Sequence, residues 1–310
     1  MFDTNLKIVC YHGVVESIPD GYNSSGKHIL VSEFEKQISF LARNLTIVTM
    51  RDIDLAAKGV GTLPRNCAAI TFDDGFLNNF EFAHPIIQKY EVPATIYVAT
   101  NYISGSHLIW TDELERLMLE ASPTRLTKFL NDEITVDLST KERRYHTLKC
   151  VKRELKSSPP SRRASAMKML TESLRFEDEP VRHPSLHNFL NWEHLKVMQN
   201  SGLWEVGAHT MSHNSLGLLL DHEVKQEVVG SILKVSQELR GKYPPLFSYP
   251  EGQDQDIPSY AISILKESGL HSAPSAIEGM NSFSSDYSTD FFRLHRDMVG
   301  FERIAFPWQM

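Results

Sequence analysis

The sequence predicts an α/β protein built on a largely parallel sheet, open or closed into a barrel. Three observations carry this. Short apolar runs of strand length recur along the chain, and amphipathic helical patterns separate several of them. The chain's 310 residues are long for one domain but within the range of an α/β barrel. No internal repeat interrupts this rhythm.

The elements follow in order. LKIVCYH (Leu6 to His12) reads as the first strand. Residues 31–44 read as a helix, because Phe34, Ile38 and Leu41 share one face, and Ser32 is the expected N-cap. LTIVTM (45–50) is a short strand candidate and CAAITF (67–72) a second strand. FAHPIIQKY (82–90) has a helical pattern with Pro85 near its start. Val92 to Thr100 is a strong strand pattern. Leu203 to Thr210, Pro245 to Pro250 and Gly269 to Ile277 each resemble a strand running into a loop. Between the first and second of these lies a long helix, 221–242, with Val224, Val228, Ile232 and Val235 on one stripe and Gly241 as its stop.

Residues 112–189 break the pattern and are expected to be mostly helical, an insertion within one domain spanning 1–310. Within 141–175 stand eleven Lys/Arg against three Glu, a net charge of +8 in a chain of −7. Tyr145, Leu148, Val151 and Leu155 repeat at helical spacing, as do Ala164, Met167, Leu170 and Leu174, with SSPP (157–160) between the two runs. The plain reading is a solvated basic face. The sharper one is a surface for an anionic partner, either a phosphate- or lipid-linked substrate or an acidic membrane touched peripherally.

Composition narrows the class. Hydrophobic residues make 41% and charged residues 23%, an ordinary globular balance. The net charge of −7 argues against general nucleic-acid binding. Cys10, Cys67 and Cys150 are scattered and odd in number, so no disulfide framework follows and a reducing compartment fits. MFDTNLKIVCYHGVV does not read as a signal peptide, and no apolar run has bilayer length, so the expectation is a cytoplasmic protein without a transmembrane segment.

The chemistry concentrates in two motifs. TFDDG (71–75) sets two carboxylates side by side at the end of a buried strand, where like charges repel and burial is costly. HTMSH (209–213) follows another strand and spaces His209 and His213 so that a helical turn would aim both at one point. Two imidazoles and one carboxylate make a three-ligand site for a divalent metal with open positions. One aspartate would bind the metal. The other would take a proton from water that the metal acidifies.

With these motifs the chain resembles the polysaccharide deacetylases of carbohydrate esterase family four, over roughly 6–105 and 191–296. TFDDG matches the family's first motif, which implies Asp73 as general base and Asp74 as metal ligand. HTMSH matches the second, implying His209 and His213 as the other ligands, with zinc the usual metal. FSYPEG (247–252) is similar to the third motif in the form seen in exopolysaccharide-locus members. It implies Tyr249 and Pro250 at the substrate and the backbone N–H of Glu251 at the oxyanion. YHGV (11–14) also resembles that branch, and His12 at the strand end is a candidate for substrate contact. The resemblance implies a distorted (β/α) barrel of about seven strands with the helical insertion.

Two positions depart from the family pattern. Ser248 stands where an arginine usually orients the base, with Arg293 or Arg296 as replacements. FRLHRDM offers His295 as the late general acid. The expected activity is metal-dependent removal of an N-acetyl group from an amino sugar in a polysaccharide, oligosaccharide or activated precursor. A sugar deformylase, an O-acetyl esterase and a non-catalytic carbohydrate-binding protein are the alternatives.

Overall fold

The structure is a computed structural model that describes residues 4–129, 134–178, 181–241, 244–283 and 289–301. The chain divides into two compact units, one of residues 1–17, 25–106 and 188–310, the other of 18–24 and 107–187.

The larger unit begins with β1 (Thr4–Tyr11), β2 (Gly13–Val15), β3 (His28–Leu30), α1 (Val31–Asn44), β4 (Thr46–Ile47), α2 (Met50–Ala57) and β5 (Asn66–Phe72). A π-helical turn at Asn79–Ala83 leads into α3 (His84–Tyr90), and β6 (Ala94–Val98) follows. The smaller unit holds α4 (Trp110–Glu120), β7 (Arg125–Phe129), β8 (Ile134–Asp137), α5 (Lys141–Lys156), α6 (Pro160–Ser173) and α7 (Pro184–His187). The chain returns to the larger unit with α8 (Trp192–Asn200), β9 (Trp204–Ala208), α9 (Asp221–Glu238), α10 (Ser259–Glu267), β10 (Asn281–Phe283) and β11 (Asp297–Met298).

A seven-stranded sheet forms the frame, in the order β10-β1-β5-β6-β9, with β11 on β1 and β4 on β5. Only β10 runs antiparallel to its neighbour; β1, β4, β5, β6, β9 and β11 pair in parallel. The central runs are apolar on both faces, as a covered parallel sheet requires: β6 is buried throughout, and Cys67 to Phe72 of β5 likewise. The sheet continues past β9 through a single bridge from Ala208 to Phe247, and another single bridge joins Pro274 to Leu294. Among the described residues no bridge joins these two segments, so the pairing gives a seven-stranded, mainly parallel sheet without a closed ring.

The two segments expected as strands at 245–250 and 269–277 are thus loops with one bridge each. The prolines at 245, 250 and 274 remove ladder donors and break both runs. Ser32 lies inside α1 and does not cap it; Leu30 is the N-cap, with no side-chain bond. The candidate strand 45–50 shortens to two residues, because Thr49 and Asp52 form a capping box that starts α2. The stripe on α9 is as read: Val224, Val228, Ile232 and Val235 are buried.

The smaller unit has its own core, in which Leu114, Leu117 and Met118 meet Val136, Leu148, Val151, Leu155 and Leu170. It also contains an antiparallel hairpin, β7–β8, that helical spacing did not announce; the β-branched run Ile134, Thr135 and Val136 favours it. On α6 the buried face runs through Arg163, Ala166 and Leu170, leaving Ala164 exposed. Arg163 turns inward because its guanidinium lies 5.0 Å from the Trp110 ring. Much of the basic charge is engaged within this unit. Lys141 pairs with Asp20, Arg143 with Asp137, Arg162 with Glu154, and Arg144 donates to the carbonyls of Met118 and Leu119.

Candidate metal centre and active site

Parallel sheets present the carboxyl ends of their strands as the binding edge. At that edge β1 delivers His12, β5 delivers Asp73 and Asp74, and β9 delivers His209. Register keeps them together: Tyr11 opposes Phe72, and Val98 opposes Ala208.

The adjacent aspartates separate because their backbones differ. Asp73 continues the strand direction and donates its N–H to the Tyr11 carbonyl at 3.0 Å. Asp74 adopts a left-handed conformation with φ of 73°, which turns its side chain elsewhere. Gly75 follows at φ 88°, where a Cβ would meet Ile103 Cδ1 at 2.9 Å; the turn accepts only glycine here. Of the seven described non-glycine residues with positive φ, four are Asp74, Thr210, His213 and Glu251, the others being Asn23, Glu91 and Ser104. Strained backbone gathers at functional sites, and these four residues all belong to the three motifs.

Asp73 is buried and gripped by a guanidinium. Arg296 donates to both of its carboxylate oxygens, at 2.9 and 2.7 Å, and also to Ser248 Oγ at 3.0 Å and the Ser275 carbonyl at 2.6 Å. Burial would raise the Asp73 carboxyl, but Arg296 and then His209 outweigh it and hold it below the usual range. The cation missing from position 248 therefore arrives from position 296, and the short Ser248 side chain leaves room for it.

Asp74 faces the histidines. His213 Nε2 lies 3.0 Å and His209 Nε2 3.8 Å from Asp74 Oδ1, and the three ligand atoms lie within 4.8 Å of one another. Ligand bonds of about 2.0–2.2 Å suit such a cluster. The buried Asp74 Oδ1 meets His213 Nε2 at 3.0 Å without regular hydrogen-bond geometry, so it is open to a cation. His209 Nδ1 lies 2.9 Å from the Ser248 carbonyl; donation there fixes the tautomer that turns a bare Nε2 toward the cluster. Burial, tempered by Asp73, lowers His209 to about 4, which keeps it a neutral ligand. Burial works against charge on His213, but Asp74 outweighs it and raises that group. The donor set fits a divalent metal.

The loop carrying the second motif is clamped from α9. Glu227 accepts the N–H groups of Met211 at 2.7 Å and Ser212 at 2.9 Å, while His213 donates its N–H to Thr210 Oγ1 at 3.0 Å. Nothing in the helical pattern of α9 marked Glu227 for this role.

The other sequence candidates fall on both sides of the site boundary. His12 is buried, its Nδ1 has no hydrogen bond, and burial, opposed by Asp74 and then Asp73, lowers its imidazole from the usual range. The charge of Glu251 acts on His213. Tyr249 is 1% exposed and packs on Phe247 in the main core, with Pro250 buried beside it. His295 makes no described contact with the cluster. Its ring lies against Gly279, its backbone N–H donates to Asn281 Oδ1, and no described contact joins its imidazole to Asp73, Asp74, His209 or His213. Arg296, the next residue, takes the inward position, because successive side chains of an extended segment point oppositely. Arg293 bonds Asp290 and the Ile257 carbonyl instead of the base.

Comparison with known proteins places these features in context. The family model described as Polysaccharide deacetylase matches residues 60–273. The poly-beta-1,6-N-acetyl-D-glucosamine N-deacetylase of Staphylococcus aureus is 25% identical over 178 residues, 56% of this chain and 58% of that protein. The chain spans between 38% and 58% of the length of the curated relatives it matches first. Among solved structures, Streptococcus pyogenes deacetylase PplD in complex with acetate matches with a TM-score of 0.61 at 14% identity, covering 96% of this chain and 92% of that one. IcaB from Ammonifex degensii matches with a TM-score of 0.58 at 17% identity, covering 96% and 92%. These two show a shared fold.

Proposed function

This chain belongs to the polysaccharide deacetylase family, and we propose that it hydrolyses the N-acetyl amide of an amino sugar in a glucosamine-containing polymer, oligomer or precursor. One observation supports the reading most. A buried carboxylate fixed by a forked arginine stands beside an Asp/His/His cluster that fits a divalent metal.

Asp74, His209 and His213 would hold that metal, for which zinc is the family's usual choice, and the metal when bound would acidify water and draw charge from the acyl oxygen. Asp73 accepts a proton from the attacking water. Arg296 keeps the Asp73 carboxylate ionised and aimed, so the proton has a defined acceptor. The backbone N–H of Glu251 stands for the oxyanion. The departing amine needs a proton, and the buried His12 at the end of β1 is the candidate at this edge of the sheet for giving it. The amide in the curated S. aureus relative's printed substrate supports N-acetylglucosamine as the sugar.

The experiment is acetate release from a panel of N-acetylated monosaccharides, sugar nucleotides and oligomers, with and without chelator, alongside elemental analysis. The reading expects chelator-sensitive acetate release and one divalent metal per chain. Formate release, or acetate release from O-acetyl esters alone, would move the assignment to the corresponding hydrolase. A chain with no bound metal and no release would remove it.

A further inference from the structure

The third-motif loop is built from strained backbone and tied down on two sides. Glu251 and Gly252 both adopt left-handed backbone, each with φ of 62°, and the Gly252 N–H donates to the Pro250 carbonyl at 2.7 Å. Such a conformation at a non-glycine residue persists only where the surroundings over-determine it. On one side Ala276 donates its N–H to the Gly252 carbonyl at 2.8 Å, and Gln253 Nε2 donates to the Ala276 carbonyl at 2.8 Å. The adjacent Ser275 carbonyl accepts Arg296 Nε, so this side of the loop is fixed to the guanidinium that grips Asp73.

The other side is held by a carboxylate that no motif announced. Asp256 is 7% exposed. Its Oδ2 accepts the Gln253 N–H at 3.1 Å, and its Oδ1 accepts the Ser215 hydroxyl at 2.5 Å. Ser215 is itself buried and stands two residues after His213. Gly217 lies so near the same segment that a Cβ there would meet the Gln255 carbonyl oxygen at 1.8 Å. Burying a carboxylate is costly unless its oxygens are hydrogen-bonded. Here the two oxygens tie the loop that carries His213 to the loop that carries the Glu251 N–H.

We propose that Asp256 is a positioning residue for the hydrolysis, which sets the Glu251 N–H at the place where the acyl oxygen gains its charge. This rests on the amide-hydrolase reading. The oxyanion forms beside the cluster of Asp74, His209 and His213, and a donor preset at that place stabilises it without reorganisation. Asp256 fixes the donor's loop to the ligands' loop, so that one spacing serves both. It acts through residues 251–253 and not on the substrate.

The test compares the native full chain with Asp256→Ala, Asp256→Asn, Ser215→Ala and the double alanine variant, each metal-loaded and with metal content measured. Deleting an oxyanion donor costs roughly 10²–10³-fold in kcat, and displacing one should cost less. On an N-acetylglucosamine oligomer, kcat of Asp256→Ala should fall about 10- to 100-fold, with KM within about threefold of native and metal content unchanged. Asparagine keeps an acceptor for the Gln253 N–H and a donor for Ser215 Oγ, so Asp256→Asn should recover most of the loss. Ser215→Ala should lower kcat in the same direction, and the double variant should be no slower than Asp256→Ala, because both act through one link. Hydrogen exchange at residues 249–253 should quicken in Asp256→Ala. Should that variant fold poorly, Ser215→Ala is read by the same two measurements. A merely structural aspartate would lower the melting temperature and leave kcat per metal-loaded chain within about threefold of native. That result, additive losses in the double variant, or unchanged exchange at 249–253 overturns the proposal. If the native chain cleaves no N-acetyl substrate, the hydrolase reading falls, while the exchange measurement still decides whether Asp256 holds the loop.

Discussion

Arg296→Met tests the base and its partner together. Arg296 has no exposure and forks onto Asp73 with contacts of 2.9 and 2.7 Å. Removing the guanidinium leaves a buried carboxylate with no matching cation and strips donors from Ser248 and the Ser275 carbonyl. Breaking one side of a buried pair costs about 3–5 kcal/mol, set against a total stability of about 5–15 kcal/mol. With an m-value of about 3 kcal/mol/M in urea, the midpoint should fall by roughly 1–2 M. Asp73→Asn in the same chain removes the stranded charge, so the double variant should be more stable than Arg296→Met alone. That is a coupling of at least about 1 kcal/mol between two residues in contact. Both variants should lose activity, the first by up to about 10⁴-fold if Asp73 is the base. Equilibrium urea unfolding of the native chain, the two single variants and the double variant measures the cycle. A midpoint loss worth less than about 1 kcal/mol for Arg296→Met, or strict additivity in the double variant, would refute the reasoning.

Other substitutions address separate parts of the site. Asp74→Asn and His213→Gln should each abolish stoichiometric metal, whereas Asp73→Asn should keep metal and lose activity; loss of metal from the Asp73 variant would overturn this division of labour. Glu227→Gln weakens the two bonds that hold the loop of His209 and His213 and should lower metal affinity about 10- to 100-fold, read by competition with a chromogenic chelator; unchanged affinity would reduce the clamp to a loop tether. Glu205, at the far end of β9 from His209, has its carboxyl raised by burial despite the Arg51 N–H and Thr95. A raised carboxyl stabilises the fold below its unfolded pKa and loses that contribution as pH rises through the folded value. Glu205→Gln should therefore melt higher than native near neutral pH, with the advantage gone below about pH 4.3, the unfolded glutamate value; a pH-independent difference would contradict that sign. Reversing Arg143, Arg144, Lys152 and Arg153 to Glu should leave activity on a small neutral substrate within threefold, given how many of the neighbouring charges are engaged inside their own unit.

The sequence by itself determined the elements whose pattern is local. Covered strands at 67–72 and 92–100 announce themselves through unbroken apolar runs, and α9 through its stripe, because burial imposes a period that needs no knowledge of the neighbours. The two motifs were legible for a similar reason: chemistry requires carboxylates and imidazoles at strand ends, and few other roles tolerate them there. What depends on contacts across the chain was not legible. Register brought Asp73, Asp74, His209 and His213 together, and alternation along one extended segment chose Arg296 over His295 as the inward side chain. The empty place at Ser248 was visible in the sequence; the residue that fills it, 48 positions away, was one of two candidates. Glu227 carried no signal at all, because a glutamate on a helix looks solvated until the fold aims it at a backbone.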